Sequence, residues 1–214
     1  MSCRIFFVRH GQSIGNLVGR FLGITDLNIS ELGHKQAERT AHFLNKENID
    51  ALYSSDLIRA YNTAVPLAKL KGLDIIKDKG LREIVAGEWE NTPFDELVER
   101  YTDEYAKTWI NDIGFAKPVG GESVAELSDR VYDTVKRIAE QNNGKTVAIF
   151  THATPIRAFF CKIYGKTLAE MKNVPWATNA SVSEAVFENG VFKPIRYSYD
   201  EFMGEISTGL PKNC

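Results

Sequence analysis

The chain has 214 residues, of which 43% are hydrophobic and 25% are charged, so it is long enough to bury a sizeable core. Its formal net charge of -2 argues against nonspecific nucleic-acid binding, and no apolar run is long enough for a membrane span or a secretory leader. The cysteines (Cys3, Cys161 and Cys214) are odd in number and far apart, which predicts no disulfide framework or zinc motif and a cytoplasmic setting.

The first predicted element is a strand over residues 4–8, whose continuous apolar run is typical of a buried parallel strand. It is followed by Arg9, His10 and Gly11, at the end of the strand where open α/β sheets bind ligands. This arrangement indicates a nucleophile beside an anion clamp, although a lone histidine after a strand is more often structural. The long loop that follows contains Gly23, which we include among the candidate substrate-binding positions.

Helix and strand then alternate, with elements predicted over residues 30–45, 51–54, 56–70 and 74–77. Ser30 is a candidate N-cap of the first helix. Pro66 predicts a kink or a break in the second helix, because proline cannot donate the backbone hydrogen bond of a helix interior.

Two charged side chains in this region are candidate site residues. Arg59 is expected in the first turn of its helix, behind the N-cap candidates Asp56 and the two serines before it, where a positive charge opposes the helix dipole. That placement favours anion binding by Arg59, and the alternatives are a solvated arginine or a partner for Asp56. Glu83 is the first carboxylate after the third strand that can reach the crevice, although its spacing alone favours a surface pair with Arg82.

Residues 85–121 are rich in aromatic side chains and weak in strand signal, which predicts a helical cap inserted over the sheet. The aromatic residues of this segment are Trp89, Phe94, Tyr101, Tyr105, Trp109 and Phe115. We expect them to form mainly the core of the cap, and the alternative is contact with a flat or apolar part of a substrate.

The remaining elements are predicted over residues 123–141 (helix), 146–150 (strand), 155–164 (helix), and 183–187 and 192–199 (hairpin strands). Asn189 and Gly190 between the last two strands favour a tight turn. The predicted fold class is α/β: a three-layer α/β/α sandwich with a mostly parallel sheet, an antiparallel edge strand and a helical cap insertion. We expect a single domain over residues 1–214, with the cap at about 85–121.

His152 follows its buried strand as His10 follows the first one. If these strands are parallel neighbours, both imidazoles reach the same crevice. A structural role for His152 alone is the alternative, and the paired placement argues against coincidence. His34 and His42 lie eight residues apart without further ligands, so no metal site is predicted.

Several short motifs occur in order over about residues 4–160. They are Arg9-His10-Gly11-Gln12-Ser13 with Asn16, Ser54-Ser55-Asp56-Leu57-Ile58-Arg59-Ala60, Leu81-Arg82-Glu83 with Gly87-Glu88-Trp89-Glu90, Gly120-Gly121-Glu122-Ser123, and Thr151-His152. Together and in this order they resemble the histidine phosphatase superfamily, also called phosphoglycerate mutase-like, and its phosphatase branch in particular.

The resemblance implies that His10 is a nucleophile that becomes phosphohistidine and that Glu83 is the proton donor. It also implies that the phosphoryl oxygens are held by Arg9, Arg59, His152 and Asn16. Guanidiniums disfavour a charged imidazolium and so keep His10 neutral, whereas a phosphate dianion raises the pKa of Glu83. The family often has glycine after the second histidine; here Ala153-Thr154 follows, and Thr154 adds a hydroxyl contact to substrate or caps the next helix.

The predicted function is metal-independent hydrolysis of a small phosphorylated metabolite through a phosphohistidine, with no cofactor and no nucleic-acid or membrane partner. One alternative is a cofactor-dependent phosphoglycerate mutase, which needs extra basic residues in the cap. The cap offers only Arg100, Lys107 and Lys117, scattered among acids and aromatics. A second alternative is a non-catalytic phosphate-binding regulatory module. A homodimer formed through the hairpin edge strand also stays open.

Overall fold

A six-stranded sheet forms the centre of the computed structural model, which describes residues 1–208. In chain order the strands are β1 (Cys3–Arg9), β2 (Arg20–Phe21), β3 (Ala51–Ser54), β4 (Ile75–Lys77), β5 (Thr92–Pro93), β6 (Thr146–Thr151), β7 (Val182–Glu188) and β8 (Val191–Tyr199). All of them belong to this sheet except β2 and β5, which pair with each other in a small second sheet. The α-helices are α1 (Ile14–Leu17), α2 (Glu31–Leu44), α3 (Ile58–Lys71), α4 (Phe94–Arg100), α5 (Val124–Gln141) and α6 (Ala153–Ile163). The shorter helical turns are the π-helical segment Thr102–Ile110 and the 3-10 turns Lys79–Leu81, Gly87–Trp89, Ile113–Phe115, Leu168–Asn173 and Glu201–Ile206.

The strand order β4-β3-β6-β1-β7-β8 confirms the mostly parallel sheet with an antiparallel hairpin at one edge. The first four strands of this order are parallel, whereas β7 pairs antiparallel with β1, and β8 pairs antiparallel with β7. In the register of β1 with β6, Arg9 lies opposite Thr151. The next residue of each strand is a histidine, so His10 and His152 leave the sheet side by side.

The side chains of β1 alternate between the two faces of the sheet and confirm the three layers. Phe6 and Val8 lie in one apolar cluster with residues of α2 and α3. Ile5 and Phe7 lie in the other cluster, with residues of α5 and α6. Both faces of β1 are therefore buried, which explains its continuous apolar run. Among the residues that the structure describes, no helix is long and apolar enough to cross a membrane. Cys3 and Cys161 are buried free thiols, and Cys214 lies outside the described residues.

The helix predicted from residue 56 begins at Ile58, so the prediction that Asp56 caps it is wrong. The carboxylate of Asp56 instead accepts two hydrogen bonds of 2.6 Å from Arg82. The cap comes from the loop after β2, where Asp26 Oδ1 accepts a hydrogen bond from the Ile58 N–H at 2.7 Å. Pro66 does not break the helix, which continues past it to Lys71.

The helix predicted from residue 155 begins two residues earlier, at Ala153, with His152 as its N-cap residue. Pro155 therefore lies in the first turn. Backbone N–H groups have no intrahelical acceptor there, so proline is tolerated. The earlier start places the N-terminus of α6 directly behind the second histidine.

The predicted cap is helical in pieces, as expected, but it is also tied to the loop that follows β1. Antiparallel pairing of β2 with β5 joins Arg20 to Pro93 and Phe21 to Thr92. Two residues a strand is too short for a periodicity signal, so the sequence did not predict this second sheet. The aromatic side chains of the cap are mostly buried, whereas Phe115 is 65% exposed.

Two glycines allow the loop after His10 to lie directly against α2. A Cβ atom on Gly11 would lie 2.6 Å from the carbonyl oxygen of Gly33, and one on Gly33 would lie 2.3 Å from that of Gln12. Both distances are too short for a side chain, and the atoms in the way belong to the backbone. These glycines therefore set the approach of the His10 loop to the N-terminus of α2.

We expect Gly33→Ala to lower the free energy of unfolding by about 1–3 kcal/mol, because the methyl group must push the His10 loop away from α2. Urea denaturation measures the change. Glu38→Ala, at an exposed position of the same helix, is the matched control and should shift stability by less than about 0.5 kcal/mol. Equal stability of the Gly33 variant and the wild type would contradict the steric argument.

Candidate active site

His10 lies immediately after β1 and is only 5% exposed. Its Nδ1 lies 2.8 Å from the carbonyl oxygen of Gly11, which can only accept, so Nδ1 carries the proton of the neutral ring. Burial, with the nearby cations Arg59 and Arg9, holds the pKa of His10 well below its usual range. The side chain is thus a neutral imidazole whose lone pair is on Nε2.

His152 lies beside His10, with ring centroids 5.2 Å apart, and is fully buried. Its Nε2 lies 2.8 Å from Ser55 Oγ, whereas its Nδ1 has no hydrogen-bond partner within residues 1–208. Burial and the charge of Arg59 lower the pKa of His152 as well. A buried ring nitrogen without a partner is an exception in folded proteins, and it is typical of a site that binds a polar ligand.

Two buried guanidiniums lie next to these rings and are held by backbone carbonyls. Arg9 donates to the carbonyl oxygen of Ala177 at 2.6 Å. Arg59 donates to those of Thr25 at 2.8 Å and Gly23 at 2.6 Å, and its Nε has no partner in the described part of the chain. Burial lowers the pKa of Arg59 to about 10, which still leaves it charged at neutral pH. Arg59, a buried cation whose hydrogen bonds go to neutral carbonyl groups, favours an anionic ligand.

Asn16 and Gly23 both line the cleft above His10, as their assignment to substrate binding requires. The Oδ1 atom of Asn16 accepts hydrogen bonds of 3.2 Å from Asn179 Nδ2 and from the Ser13 N–H. These contacts orient the side-chain amide and leave its nitrogen for a ligand. Gly23 has a φ of +50° and presents its carbonyl oxygen to Arg59, so its contribution passes through that guanidinium.

Glu83 lines the same cleft and is partly buried. Its Oε1 accepts a hydrogen bond from the Ile84 N–H at 2.9 Å, and its Oε2 accepts one from the Thr154 N–H at 3.3 Å. Burial raises the pKa of Glu83, which favours the protonated acid. The expected surface pair of Glu83 with Arg82 is wrong, because Arg82 pairs with Asp56.

Thr154 lines the cleft from the first turn of α6. The expectation that it caps this helix is wrong, since His152 is the N-cap residue. Its backbone N–H instead holds the carboxyl group of Glu83. A contact between the Thr154 hydroxyl and a substrate stays a prediction.

Most of these side chains line one open cleft. Its floor is polar and contains the side chains of Arg9, His10, Arg59 and Glu83. Its walls are mainly apolar and are formed by Phe21, Leu22, Phe94, Trp109, Ala153 and Trp176, with Arg20 and Asn16 among them. Phe94 and Trp109 belong to the cap, so part of its aromatic content faces the cleft as well as the cap core.

Sequence reasoning did not assign two residues that hold the site together. Ser55, expected as an N-cap, contacts the ring of His152. Arg130 on α5 donates to the carbonyl oxygens of Gly80 at 2.9 Å and Arg82 at 3.0 Å, and it thereby holds the segment that ends in Glu83. Arg130 looks like a solvated arginine in the helical pattern. The one sequence feature that could have indicated its role is its ion-pair partner Glu122, which belongs to the motif at residues 120–123.

Within residues 1–208, no group of three or more histidine, cysteine, aspartate or glutamate side chains is arranged to hold a metal ion. His34 and His42 are exposed on α2, and neither lines the cleft.

Comparisons with known proteins agree with this geometry. Residues 5–200 match the histidine phosphatase superfamily (branch 1). Phosphoserine phosphatase 1 of Hydrogenobacter thermophilus is 34% identical over 167 residues, which cover 78% of this chain and 79% of that protein. Glucosyl-3-phosphoglycerate phosphatase of Mycolicibacterium vanbaalenii is 30% identical over 210 residues, 92% of each. A solved mycobacterial glucosyl-3-phosphoglycerate phosphatase in complex with VO3 superposes with a TM-score of 0.83 and 27% identity, covering 92% of this chain and 99% of that one.

Proposed function

Because the chain belongs to the histidine phosphatase superfamily, we propose that it is a metal-independent phosphomonoester hydrolase acting on a small phosphorylated metabolite through a phosphohistidine. The observation that carries the proposal is the meeting of a neutral, buried His10 with two buried guanidiniums and a carboxyl group of raised pKa. In this proposal residues 1–214 form one catalytic domain, with a cap at about 85–121.

In the first step, the lone pair on His10 Nε2 attacks phosphorus and the bond from phosphorus to the ester oxygen breaks. Glu83 gives its proton to the departing oxygen, so the alcohol leaves neutral and Glu83 becomes a carboxylate. Arg9, Arg59 and His152 hold the phosphoryl oxygens, with Asn16 as a further donor. Phosphoryl transfer depends mainly on positioning and on stabilising charge over these oxygens, and guanidiniums are well suited to both.

In the second step, the Glu83 carboxylate takes a proton from water while the water oxygen attacks phosphorus. The bond from phosphorus to Nε2 breaks, which releases inorganic phosphate and restores neutral His10 and protonated Glu83. The raised pKa of Glu83 supports both steps, because the group must hold a proton in one step and accept a proton in the other.

The charges of the cap favour hydrolysis over the mutase alternative. Arg100 pairs with Glu96, and Lys107 pairs with Asp103, on the exposed side of the cap. None of the basic cap residues considered above, Lys117 included, lines the cleft. A mutase must retain a bisphosphate, which requires cations that these positions do not supply. The phosphatases among the relatives support the same choice.

We expect the purified protein to release phosphate from p-nitrophenyl phosphate at the same rate with and without EDTA, because each proposed role belongs to a side chain. Isomerisation of 3-phosphoglycerate, measured in parallel, should stay at background. His34→Ala, at an exposed histidine, is the matched control and should turn over like the wild type. Phosphate release that requires added metal, or isomerisation without release, would contradict the proposal.

A further inference from the structure

Glu90, just after the 3-10 turn Gly87–Trp89, ties the cap to the loop that follows β2. Its Oε1 accepts hydrogen bonds from the Ile24 N–H at 2.8 Å and the Ala86 N–H at 2.9 Å. Its Oε2 accepts hydrogen bonds from the Thr25 N–H at 2.9 Å and the Thr25 hydroxyl at 2.5 Å. A carboxylate offers enough lone pairs for all four donors, and a carboxamide does not.

The same loop holds Arg59 from its other side. The peptide group between Gly23 and Ile24 donates its N–H to Glu90 and accepts Arg59 through its carbonyl oxygen. Thr25 likewise donates its N–H to Glu90 and presents its carbonyl oxygen to Arg59. One hydrogen-bonded chain therefore runs from the carboxylate through the Gly23–Ile24 peptide group to the guanidinium, and the backbone of Thr25 bridges the same two side chains. Such chains polarise their members and strengthen each bond in a buried setting.

Gly23 is required for this close approach. A Cβ atom at this position would lie 2.2 Å from Oε1 of Glu90, so the loop contacts the carboxylate directly. The negative charges of Glu83, Asp26 and Glu90, in that order of effect, favour the charged form of Arg59 and oppose the burial that lowers its pKa. Glu90 contributes without a direct hydrogen bond to Arg59, from the other side of the loop.

We propose that Glu90 is a positioning residue that sets the place of the Arg59 guanidinium through residues 23–25, so that the cap and the phosphoryl-binding floor are assembled together. The expected loss of kcat/KM rests on the proposed function. The expected loss of phosphate affinity rests only on anion binding at this site.

Glu90→Gln keeps the shape of the side chain, but its amide group cannot accept all four hydrogen bonds, so some of the N–H and O–H donors lose their acceptor. We expect kcat/KM on p-nitrophenyl phosphate to fall about 10- to 100-fold, since a displaced catalytic group has an effect of this size. Binding of inorganic phosphate, measured by calorimetry, should weaken as well. In an Arg59→Met background the same change should alter kcat/KM less than about twofold, because coupled residues are not additive.

Glu88→Gln is the matched control, because Glu88 is an exposed carboxylate of the same turn that accepts a hydrogen bond from Tyr101. It should leave kcat/KM and phosphate binding unchanged. An unaffected Glu90→Gln, or equal losses with and without Arg59, would overturn the inference. Equal losses would mean that Glu90 serves only the folding of the cap.

If Glu90→Gln does not fold, Thr25→Val carries the same test, because it removes only the hydroxyl donor to Glu90. We expect phosphate binding about threefold weaker, the cost of about one modest hydrogen bond, with no change in the Arg59→Met background. No effect, or equal effects in both backgrounds, would overturn the inference. A wild type that binds phosphate without turnover would instead refute the proposed hydrolysis and leave the calorimetric comparison valid.

Discussion

His10→Ala should reduce phosphate release by about 10⁴-fold or more, the scale seen when a covalent nucleophile is removed. His152 is not expected to take over the reaction, because its Nε2 is engaged with Ser55 and, in the proposed mechanism, its Nδ1 donates a proton to a phosphoryl oxygen and so has no lone pair for attack. Steady-state assays on p-nitrophenyl phosphate measure the loss. Wild type quenched in alkaline detergent during turnover should carry a phosphoryl group that is stable in base and lost in acid, as an N–P bond is, and the variant should carry none.

The fold should survive this substitution, because the ring of His10 makes one hydrogen bond, to the carbonyl oxygen of the next residue. Phosphate should still bind to Arg9 and Arg59, and calorimetry with inorganic phosphate tests this point. Turnover that persists in His10→Ala, or a phosphoryl group found on another residue, would refute the proposed nucleophile.

Glu83→Gln should lower kcat on alkyl phosphates by about 10²- to 10⁴-fold, because an alkoxide leaves poorly without a proton donor. The first step on p-nitrophenyl phosphate should be nearly unaffected, since nitrophenolate leaves without a proton. The second step still lacks its base, so phosphohistidine should accumulate after a rapid burst of nitrophenol. If the variant lost activity on alkyl phosphates and on p-nitrophenyl phosphate equally, without a burst of nitrophenol, the assignment of Glu83 as acid and base would be contradicted.

The pH dependence gives a second test of Glu83. The first step requires neutral His10, so the rate rises with pH through the lowered pKa of that imidazole. With an alkyl phosphate as substrate it also requires protonated Glu83, so kcat/KM, which reports this first step, falls as pH rises through the raised pKa of that carboxyl group. Glu83→Gln should remove the fall at higher pH, whereas Glu88→Gln should keep it. An unchanged profile in Glu83→Gln would assign the alkaline limb to another group.

The strands that carry the two histidines were predictable because each is an apolar run that ends abruptly in polar residues. Burial on both faces leaves that pattern in the sequence, and parallel pairing of β1 with β6 then brings His10 and His152 together. Fold class follows from the same signals. The ends of the helices were predicted less accurately. The side chain that caps α3 belongs to Asp26, which accepts a hydrogen bond from the N–H of Ile58, 32 residues along the chain.

The supports of the site could not be predicted from local pattern. Arg130 and Glu90 act through hydrogen bonds to segments far away in sequence, and neither residue differs locally from a solvated charge. The partners of Asp56 and Glu83 were misassigned for the same reason: neighbouring charges suggest pairs along the chain, whereas the fold supplies closer ones. Motif membership was the sequence signal for Asp56, Glu83 and Glu90, whereas Arg130 lies outside the motifs and is connected to one only through its ion pair with Glu122.

The position of β1 in the sheet also has a consequence for synthesis of the chain. Its edges pair with β6 and β7, strands from the C-terminal third. At ordinary translation rates, about 140 residues take about 7 to 30 s to make, so for that time the strand that delivers His10 has no native neighbour. An apolar strand with open edges invites mispairing. A nascent chain interrupted before β6 therefore exposes such an edge while it still lacks His152.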